Sequence, residues 1–367
     1  MSECKLMGIK VLNPDVNESM QRFSSNEKGD IRFGLAAIKG VGEAAATSII
    51  EERNRNGRYK DIYDFIERVN YSVVNRKCME NIVYAGGFDS MCEFSRSKFF
   101  APDASGVTYL EQLMRYGQRY NAEKQNAQQS LFGGDTGMVD LQRPLLPVCE
   151  DWNLLEGLKK EKEVIGLYLS SHPLDDYRII IDNICNAELP ELDNLSQLEG
   201  REVVVAGIVT NVDMRTTKDG RPWGRVKLEG YSGSHELTLF SKDFEKFRQY
   251  IFPDYYLCIR GKVQKRPYGK DPNELEYRIT SITTLADMRD AIKELVITLP
   301  LSAIDATLIE ELSSVVKKSK GKATLRLTVI DEVEGVTLRH LSRKFQVAVT
   351  NEFIDYLNRN QLKYTIS

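Results

Sequence analysis

Two kinds of hydrophobic spacing divide the chain. From about residue 8 to residue 97, apolar residues recur at intervals of three and four, which predicts helices, most clearly over 42–54, 61–69 and 75–85. From residue 202 onward the segments 203–209, 225–228 and 236–240 are β-branched or alternate apolar and polar residues, which predicts strands. The pattern therefore predicts a multidomain α+β protein with a helical N-terminal domain.

The order of the predicted strands points to one known architecture. Three strands, a short helix over 242–251 and two further strands over 255–263 and 275–282 follow the order of an OB-fold, a small Greek-key barrel. After residue 294 the pattern predicts a strand, a helix over 303–318, strands over 324–330 and 345–349, and a helix over 351–360. These last elements predict a small C-terminal α+β domain.

Breaks in the pattern set the domain limits. Residues 121–130 are polar, a glycine-rich stretch occupies 133–137, and Pro144 and Pro147 follow, as is typical of a linker. The predicted division is a helical domain over 1–120, a linker over 121–150, a helical connector over 151–197, an OB-fold over 198–286 and the C-terminal domain over 287–367.

Composition narrows the class of protein. The 367 residues are 42% hydrophobic and 28% charged, which excludes wholesale disorder, and no apolar run is long enough to span a membrane. The six cysteines form no CxxC pair, and the three histidines lie far apart. We therefore expect no metal site, and a reducing, cytoplasmic location.

Charge is unevenly distributed. The chain carries a formal net charge of −3, but residues 201–285 contain 15 Lys and Arg against 11 Asp and Glu, a local excess of +4. A basic face is the electrostatic footprint of nucleic-acid binding, so the OB-fold segment is a candidate.

The first candidate site is the stretch Ile38 to Ala46, which has the apolar-x-Gly-apolar-Gly-x-x-x-Ala pattern of a helix-hairpin-helix motif. Backbone N–H groups of such a hairpin can hold a DNA phosphate at a helix N-terminus. The predicted duplex-binding residues are Lys39, Gly40, Val41, Gly42, Arg53 and Arg55. The alternative is a plain glycine-rich turn between packed helices.

The second candidate lies in the predicted linker, where an apolar Leu-Phe pair has no core to join. Gln128, Ser130, Leu131 and Phe132 fit the Gln-x-x-Leu-Phe form of peptides that bind bacterial sliding clamps. Leu and Phe would act as buried anchors, and the glutamine would fix the peptide by hydrogen bonds. The alternative is a chance occurrence.

The third candidate is the predicted loop 215–225 of the OB-fold, which is basic and holds an aromatic residue. Bases stack on aromatic rings and cations follow the phosphates where such folds bind single strands. The predicted residues are Arg215, Lys218, Arg221, Trp223, Arg225 and Arg266. In the alternative, Trp223 belongs to the core of a merely basic barrel.

No catalytic centre is visible. The sequence has no GxxxxGK[ST] phosphate-binding loop and no closely spaced aspartate set for a two-metal polymerase site.

Taken together, several motifs resemble the C-terminal third of the alpha subunit of bacterial DNA polymerase III, a family of replicative polymerases. They are 11–19 (VLNPDVNES), 31–35 (IRFGL), 38–42 (IKGVG), 86–89 (GGFD), 161–166 (EKEVIG), 172–174 (HPL), 217–220 (TKDG) and 223–224 (WG). Asn13 and Ser171 depart from the family, which usually has Pro and Gly there.

The resemblance implies the following order of parts along the chain. The end of the polymerase fingers domain comes first, then a helix-hairpin-helix region that contacts duplex DNA, a clamp-binding peptide, an OB-fold that binds single-stranded template, and a C-terminal domain. In many bacteria this last domain docks on the clamp-loader tau subunit, and the clamp itself is the beta subunit. The DNA-directed DNA polymerase activity, a magnesium-dependent nucleotidyl transfer, would belong to residues before Met1, and we expect no cofactor in this part. The rival interpretations are a free-standing helix-hairpin-helix and OB-fold factor in repair, and a structural scaffold.

Overall fold

A computed structural model describes residue 4 and residues 7–129, 141–218, 220–266, 273–331 and 333–367. The chain divides into two compact units, Met1–Pro173 and Leu174–Ser367. In the described part, none of the helices has the length and apolar character needed to cross a membrane.

Residues 11–32 contain short strands, in contrast to the helices expected from about residue 8. Short strands β1 (Val11–Leu12), β2 (Ser24–Ser25) and β3 (Ile31–Arg32) form a small sheet in the order β1-β3-β2. A single 3-10 turn, Leu35–Ala37, follows them. Two-residue strands are too short to show an alternation in the sequence, so they escaped prediction.

After this turn, the described part of the unit has the α-helices α1 (Glu43–Asn56), α2 (Ile62–Arg68), α3 (Arg76–Tyr84), α4 (Tyr109–Gln129) and α5 (Leu154–Ile165). The three helices predicted in the N-terminal domain are confirmed as α1, α2 and α3. The side chains of Asp61, Asn75 and Asn153 cap α2, α3 and α5 by accepting backbone N–H hydrogen bonds. Buried aromatic rings, among them Phe65, Phe88 and Phe99, form the centre of the core.

Helix α4 enters the segment predicted as linker. It continues through 121–129, where the sequence has no apolar stripe but is rich in Ala, Glu, Lys and Gln and lacks Gly and Pro. Residues 141–153 have no regular secondary structure, and they are fixed to the unit. The Tyr63 hydroxyl donates to the carbonyl of Pro144 at 2.8 Å, and Trp152 stacks on Phe100 with ring centroids 5.5 Å apart.

The second unit contains the predicted OB-fold. Its strands are β4 (Glu202–Thr216), β5 (Pro222–Glu229), β6 (Ser234–Phe240), β7 (Tyr256–Lys265) and β8 (Leu275–Thr284), in the order β6-β5-β4-β7-β8. Helix α6 (Arg178–Ile184) precedes the sheet, and helix α7 (Ser241–Phe247) lies between β6 and β7, as in an OB-fold. Among the described residues β6 and β8 remain edge strands, so the barrel is open.

The C-terminal domain is a four-stranded sheet with two main helices. After the short helix α8 (Leu285–Asp290) come β9 (Glu294–Pro300), α9 (Ala306–Lys318), β10 (Lys320–Asp331), β11 (Val336–Val347), α10 (Asn351–Arg359) and β12 (Lys363–Ile366). The strand order is β11-β10-β9-β12, with β9 and β10 parallel. The prediction found the helices and three strands, but it missed β12 and most of β11.

Candidate nucleic-acid interface

The hairpin before α1 depends on Gly40. This residue has a φ of +77°, in the left-handed region, and a Cβ atom added there would lie 2.6 Å from Nδ2 of Asn81. The next residue, Val41, is buried, and its N–H donates to the carbonyl of Ile38 at 3.0 Å. Val41 therefore anchors the hairpin, and neither its side chain nor its amide is available to a phosphate.

Gly42 has a different role from Gly40. Its φ is −69°, which any residue adopts, and nothing lies within 4 Å of the position that a Cβ would occupy. It is the N-cap of α1 and offers no side-chain oxygen, so the N–H groups of the first turn lack a side-chain cap. An open, uncapped helix N-terminus favours an anion, although Glu43 in the first turn opposes it.

The side chain of Asn81 in α3 fixes the conformation of the hairpin. Its side-chain amide donates to the carbonyl of Lys39, whose own N–H donates to the carbonyl of Val164 at 2.8 Å. Asn81 is 2% exposed, and its Oδ1 has no hydrogen-bond partner in the described structure. The hairpin conformation is thus set by helices that lie far away in the sequence.

Two lysines belong to the surroundings of the hairpin. Lys39 is exposed, and Lys77 of α3 brings its Cγ within 3.9 Å of the position of a Cβ on Gly40. The side chain of Lys77 is 66% exposed, with Nζ 3.9 Å from Glu80. Sequence reasoning missed Lys77, because only the packing of α3 beside the hairpin brings it there.

The prediction for Arg53 was wrong. Arg53 is 8% exposed, and its Nη1 donates to the carbonyl of Val16 at 2.8 Å. Burial lowers the pKa of its guanidinium. Its position on α1 turns the side chain into the unit, where it satisfies a backbone acceptor and cannot reach a phosphate in solvent.

Arg55 is exposed but does not join the hairpin site. It lies thirteen positions after Gly42, close to the last residue of α1. At the rise of an α-helix this is a separation of about 20 Å. Arg55 can serve only a different phosphate from the one at the hairpin.

The predicted clamp-binding residues fall almost entirely outside the described part of the chain. The backbone of Gln128 belongs to α4, which ends at Gln129. Ser130, Leu131 and Phe132 lie outside the described residues.

In the OB-fold, the segment predicted as a basic loop is mainly a β-hairpin. Strand β4 extends through Thr216 and pairs with β5, so that Arg215 lies opposite Trp223. Only the short turn after Thr216 connects them, closed by a hydrogen bond from the N–H of Thr217 to the carbonyl of Arg221 at 2.9 Å. The sequence suggested a loop because most residues of this hairpin extension are polar and exposed.

Trp223 belongs to the outer face of the sheet. It lies opposite Phe240 of β6, and the two rings stack with centroids 6.0 Å apart and planes inclined by 27°. Phe240 is 54% exposed and Trp223 is half-buried, whereas the adjacent Gly224 is buried against Phe244. Trp223 is therefore not a core residue. Phe240, which sequence reasoning missed, completes a pair of surface rings.

The arginines beside these rings already have partners. Arg225 lies 5.8 Å from the centroid of Trp223, and its Nε is 3.0 Å from Oε1 of Glu236. Arg215 reaches Oδ2 of Asp213 at 2.7 Å, and this hydrogen bond holds the pKa of Asp213 below its usual range. Lys218 and Arg221 are exposed in the turn, and neither has an ion-pair partner among the described residues.

Arg266 is not close to this cluster along the sheet. Arg266 follows β7, and Lys262 of β7 pairs with Glu202, the first residue of β4. Trp223 instead pairs with Arg215, which lies near the last residue of β4. Arg266 also forms an ion pair with Glu274 at 2.7 Å. The structure therefore groups Arg215, Trp223 and Arg225, and it leaves Arg266 at the other end of β4. Within the described residues no His, Cys, Asp and Glu side chains gather in a group that could hold a metal ion.

Comparisons with known proteins match three parts of this architecture. Family models match a helix-hairpin-helix motif over 8–99, an OB-fold nucleic acid binding domain over 203–285, and the C-terminal domain of the DNA polymerase III alpha subunit over 295–367. The chain belongs with the bacterial DNA polymerase III alpha subunits. This assignment rests on both the domain order and the relatives.

Three relatives show the extent of the similarity, each a DNA polymerase III subunit alpha. The protein of Saccharopolyspora erythraea is 29% identical over 364 residues, covering 96% of this chain and 29% of that protein. The Haemophilus influenzae protein is 28% identical over 97% of this chain and 30% of its own length. The Treponema pallidum protein is 33% identical over 72% and 22%. The chain thus spans about three tenths of the length of the first two of these polymerase subunits.

Similarity to solved structures is slight. A putative aspartyl-tRNA synthetase from Leishmania major Friedlin is 13% identical with a TM-score of 0.20, covering 28% of this chain and 21% of that one. An asparaginyl-tRNA synthetase from Pyrococcus horikoshii is 15% identical with a TM-score of 0.18, covering 27% and 22%. Similarities at this level support no conclusion about this polymerase-related chain.

Proposed function

We propose that this chain is the DNA-handling, non-catalytic part of a replicative polymerase alpha subunit, which contacts duplex DNA, single-stranded template and the sliding clamp. The surface ring pair of Trp223 and Phe240, with Arg225 beside it, carries the proposal. An aromatic pair that is exposed on the outer face of an OB-fold sheet gives successive bases a stacking platform.

The hairpin before α1 would contact the duplex. Its N-terminus at Gly42 has no side-chain cap and offers hydrogen-bond donors to one phosphate, and the exposed side chains of Lys39 and Lys77 near Gly40 add positive charge. Such a contact has no base readout, so it would hold the product duplex without sequence preference.

The test is a fluorescence-anisotropy titration of the whole chain with a labelled single strand and a labelled duplex, at several salt concentrations. We expect both to bind, with affinity falling as salt rises, because cation contacts release counterions. A chain that binds neither nucleic acid would be a structural scaffold, and the proposal would then be wrong.

The clamp contact is tested separately. Leu131→Ala with Phe132→Ala should remove about 2–4 kcal/mol of affinity for the cognate sliding clamp, the loss expected for truncated anchor residues. The matched control is Leu145→Ala with Val148→Ala, because these apolar side chains are 88% and 101% exposed and lie on the nearby segment 141–153. Equal clamp affinity for the two double variants would show that the Leu-Phe pair is incidental.

A further inference from the structure

The apolar face of the C-terminal sheet continues past its covered area onto the edge strand β11. Directly opposed residues share a face, so Leu299 of β9, Val329 of β10 and Leu338 of β11 lie in one row. Leu299 is 5% exposed, Val329 is half-buried and Leu338 is 54% exposed. Burial therefore falls steadily from the centre of the sheet to its edge.

Helices α9 and α10 explain this gradient. Their buried residues, including Leu312 and Val316 of α9 and Phe353 of α10, pack with β9 and β10 in one core. The apolar residues of β11 that extend this layer, Val336 and Leu338, remain 50% and 54% exposed. The sheet thus presents a strip of uncovered apolar surface along one strand.

The backbone of β11 is also available. It pairs with β10 on one side, and no other strand of the described structure pairs with it on the other. Its regular part runs from Val336 to Leu341, after which the register shifts between the pairs Arg326–Leu341 and Thr324–Gln346. A regular edge strand of this length leaves every second N–H and C=O group free to pair with another extended chain.

Charge indicates what kind of chain would fit. Residues 335–351 contain no Asp or Glu, and they carry Arg339, Arg343 and Lys344. All three side chains are exposed, and none has an ion-pair partner among the described residues. Two copies of β11 placed edge to edge would bring like charges together, which opposes self-association.

The geometry points to β11 as a docking edge for an extended, acidic segment of another protein, which adds as a fifth strand next to Val336–Leu341. Its backbone would pair with the free edge, its apolar residues would cover Val336 and Leu338, and its carboxylates would meet Arg339 and Arg343. This inference concerns the C-terminal domain alone and does not depend on DNA binding by the first unit or the OB-fold.

The probe is a fluorescein-labelled peptide in which Val and Glu alternate, compared with one in which Val and Lys alternate, each titrated against the whole chain. We expect saturable binding of the Val-Glu peptide only, and slower hydrogen exchange at the β11 amides in its presence. Leu338→Lys, and separately Arg339→Glu with Arg343→Glu, should each weaken binding by about tenfold or more.

The matched control is Ile309→Lys, which places the same charge at a 55% exposed apolar position on α9 and should leave binding unchanged. Since every altered side chain is exposed, the variants should keep the thermal unfolding temperature of the parent chain. The inference is overturned if the Val-Glu peptide does not bind, if the β11 variants bind it as well as Ile309→Lys does, or if exchange at β11 is unaffected. It is also overturned if a single-stranded oligonucleotide, or a second copy of the chain, takes the edge instead.

Discussion

The hairpin before α1 offers backbone N–H groups at an open glycine, and its neighbouring lysines have exposed side chains, with Nζ of Lys77 3.9 Å from Glu80. The outer face of β4, β5 and β6 instead offers aromatic rings, and Arg215 and Arg225 on it already form ion pairs with carboxylates. In the first region a phosphate contact would depend on the backbone conformation, which buried residues such as Asn81 maintain. In the second region a contact with DNA would depend on individual surface side chains. Substitutions at Gly40, which Asn81 contacts, should therefore affect folding and binding together, whereas substitutions on the sheet should affect binding alone.

The largest expected effect is at Gly40. Gly40→Val forces a β-branched residue to φ +77° and places its Cβ against Asn81. We expect a loss of about 2–3 kcal/mol in the free energy of unfolding, measured by denaturant titration, together with loss of duplex binding. Gly29→Val is the control, because it has a similar φ of +82° with nothing within 4 Å of the new Cβ. Equal stability losses would mean that the contact with Asn81 contributes nothing.

Trp223→Ala should come next and should act on binding alone. Loss of the stacking ring should cost about 1–3 kcal/mol of single-strand affinity in an anisotropy titration, with duplex affinity unchanged. Phe252→Ala removes another exposed ring of the OB-fold, 47% exposed and outside the Trp223–Phe240 pair, and should have little effect. If Trp223→Ala instead lowers thermal stability while single-strand affinity persists, the ring supports the fold and is not a binding platform.

Gly42→Ala separates the two functions of the hairpin glycines. The methyl group meets no atom within 4 Å and φ is −69°, so the fold should be unaffected. A phosphate approaching the helix N-terminus would be held off, which should cost about 1 kcal/mol of duplex affinity and leave single-strand affinity unchanged. Gly157→Ala in α5, also in open space, is the control. Undiminished duplex binding by Gly42→Ala would exclude close approach to this helix end.

The smallest expected effect has the opposite sign. Glu236→Gln releases Arg225 from its carboxylate, and single-strand affinity should rise by about 0.5 kcal/mol at low salt. Glu294→Gln, which releases Arg326 in the C-terminal domain, should not change it. A fall in affinity after Glu236→Gln would show that Glu236 positions Arg225 for binding.

The sequence predicted the features that depend on local patterns, and it did not predict those that depend on tertiary contacts. The periodicity of α1, α2 and α3 and the strand order of the OB-fold are local signals, and they were predicted correctly. The burial of Arg53 against the carbonyl of Val16, the arrival of Lys77 beside Gly40 and the pairing of Phe240 with Trp223 are tertiary events. No local sequence pattern predicts them, because the letter for an arginine or a phenylalanine is the same whether its side chain is buried or exposed.

The ion pairs of the outer sheet face have a consequence for movement. A strand phosphate that binds Arg225 or Arg215 must displace Glu236 or Asp213, and on release the guanidinium returns to a carboxylate already in place. Each arginine–phosphate contact would thus be replaced by an ion pair within the protein as it breaks. This replacement lowers the barrier to dissociation of the strand, and it also reduces the free energy gained on binding. Such a face would favour rapid stepwise exchange along a strand over long residence at one position, and single-molecule dwell times would be short even where equilibrium affinity is moderate.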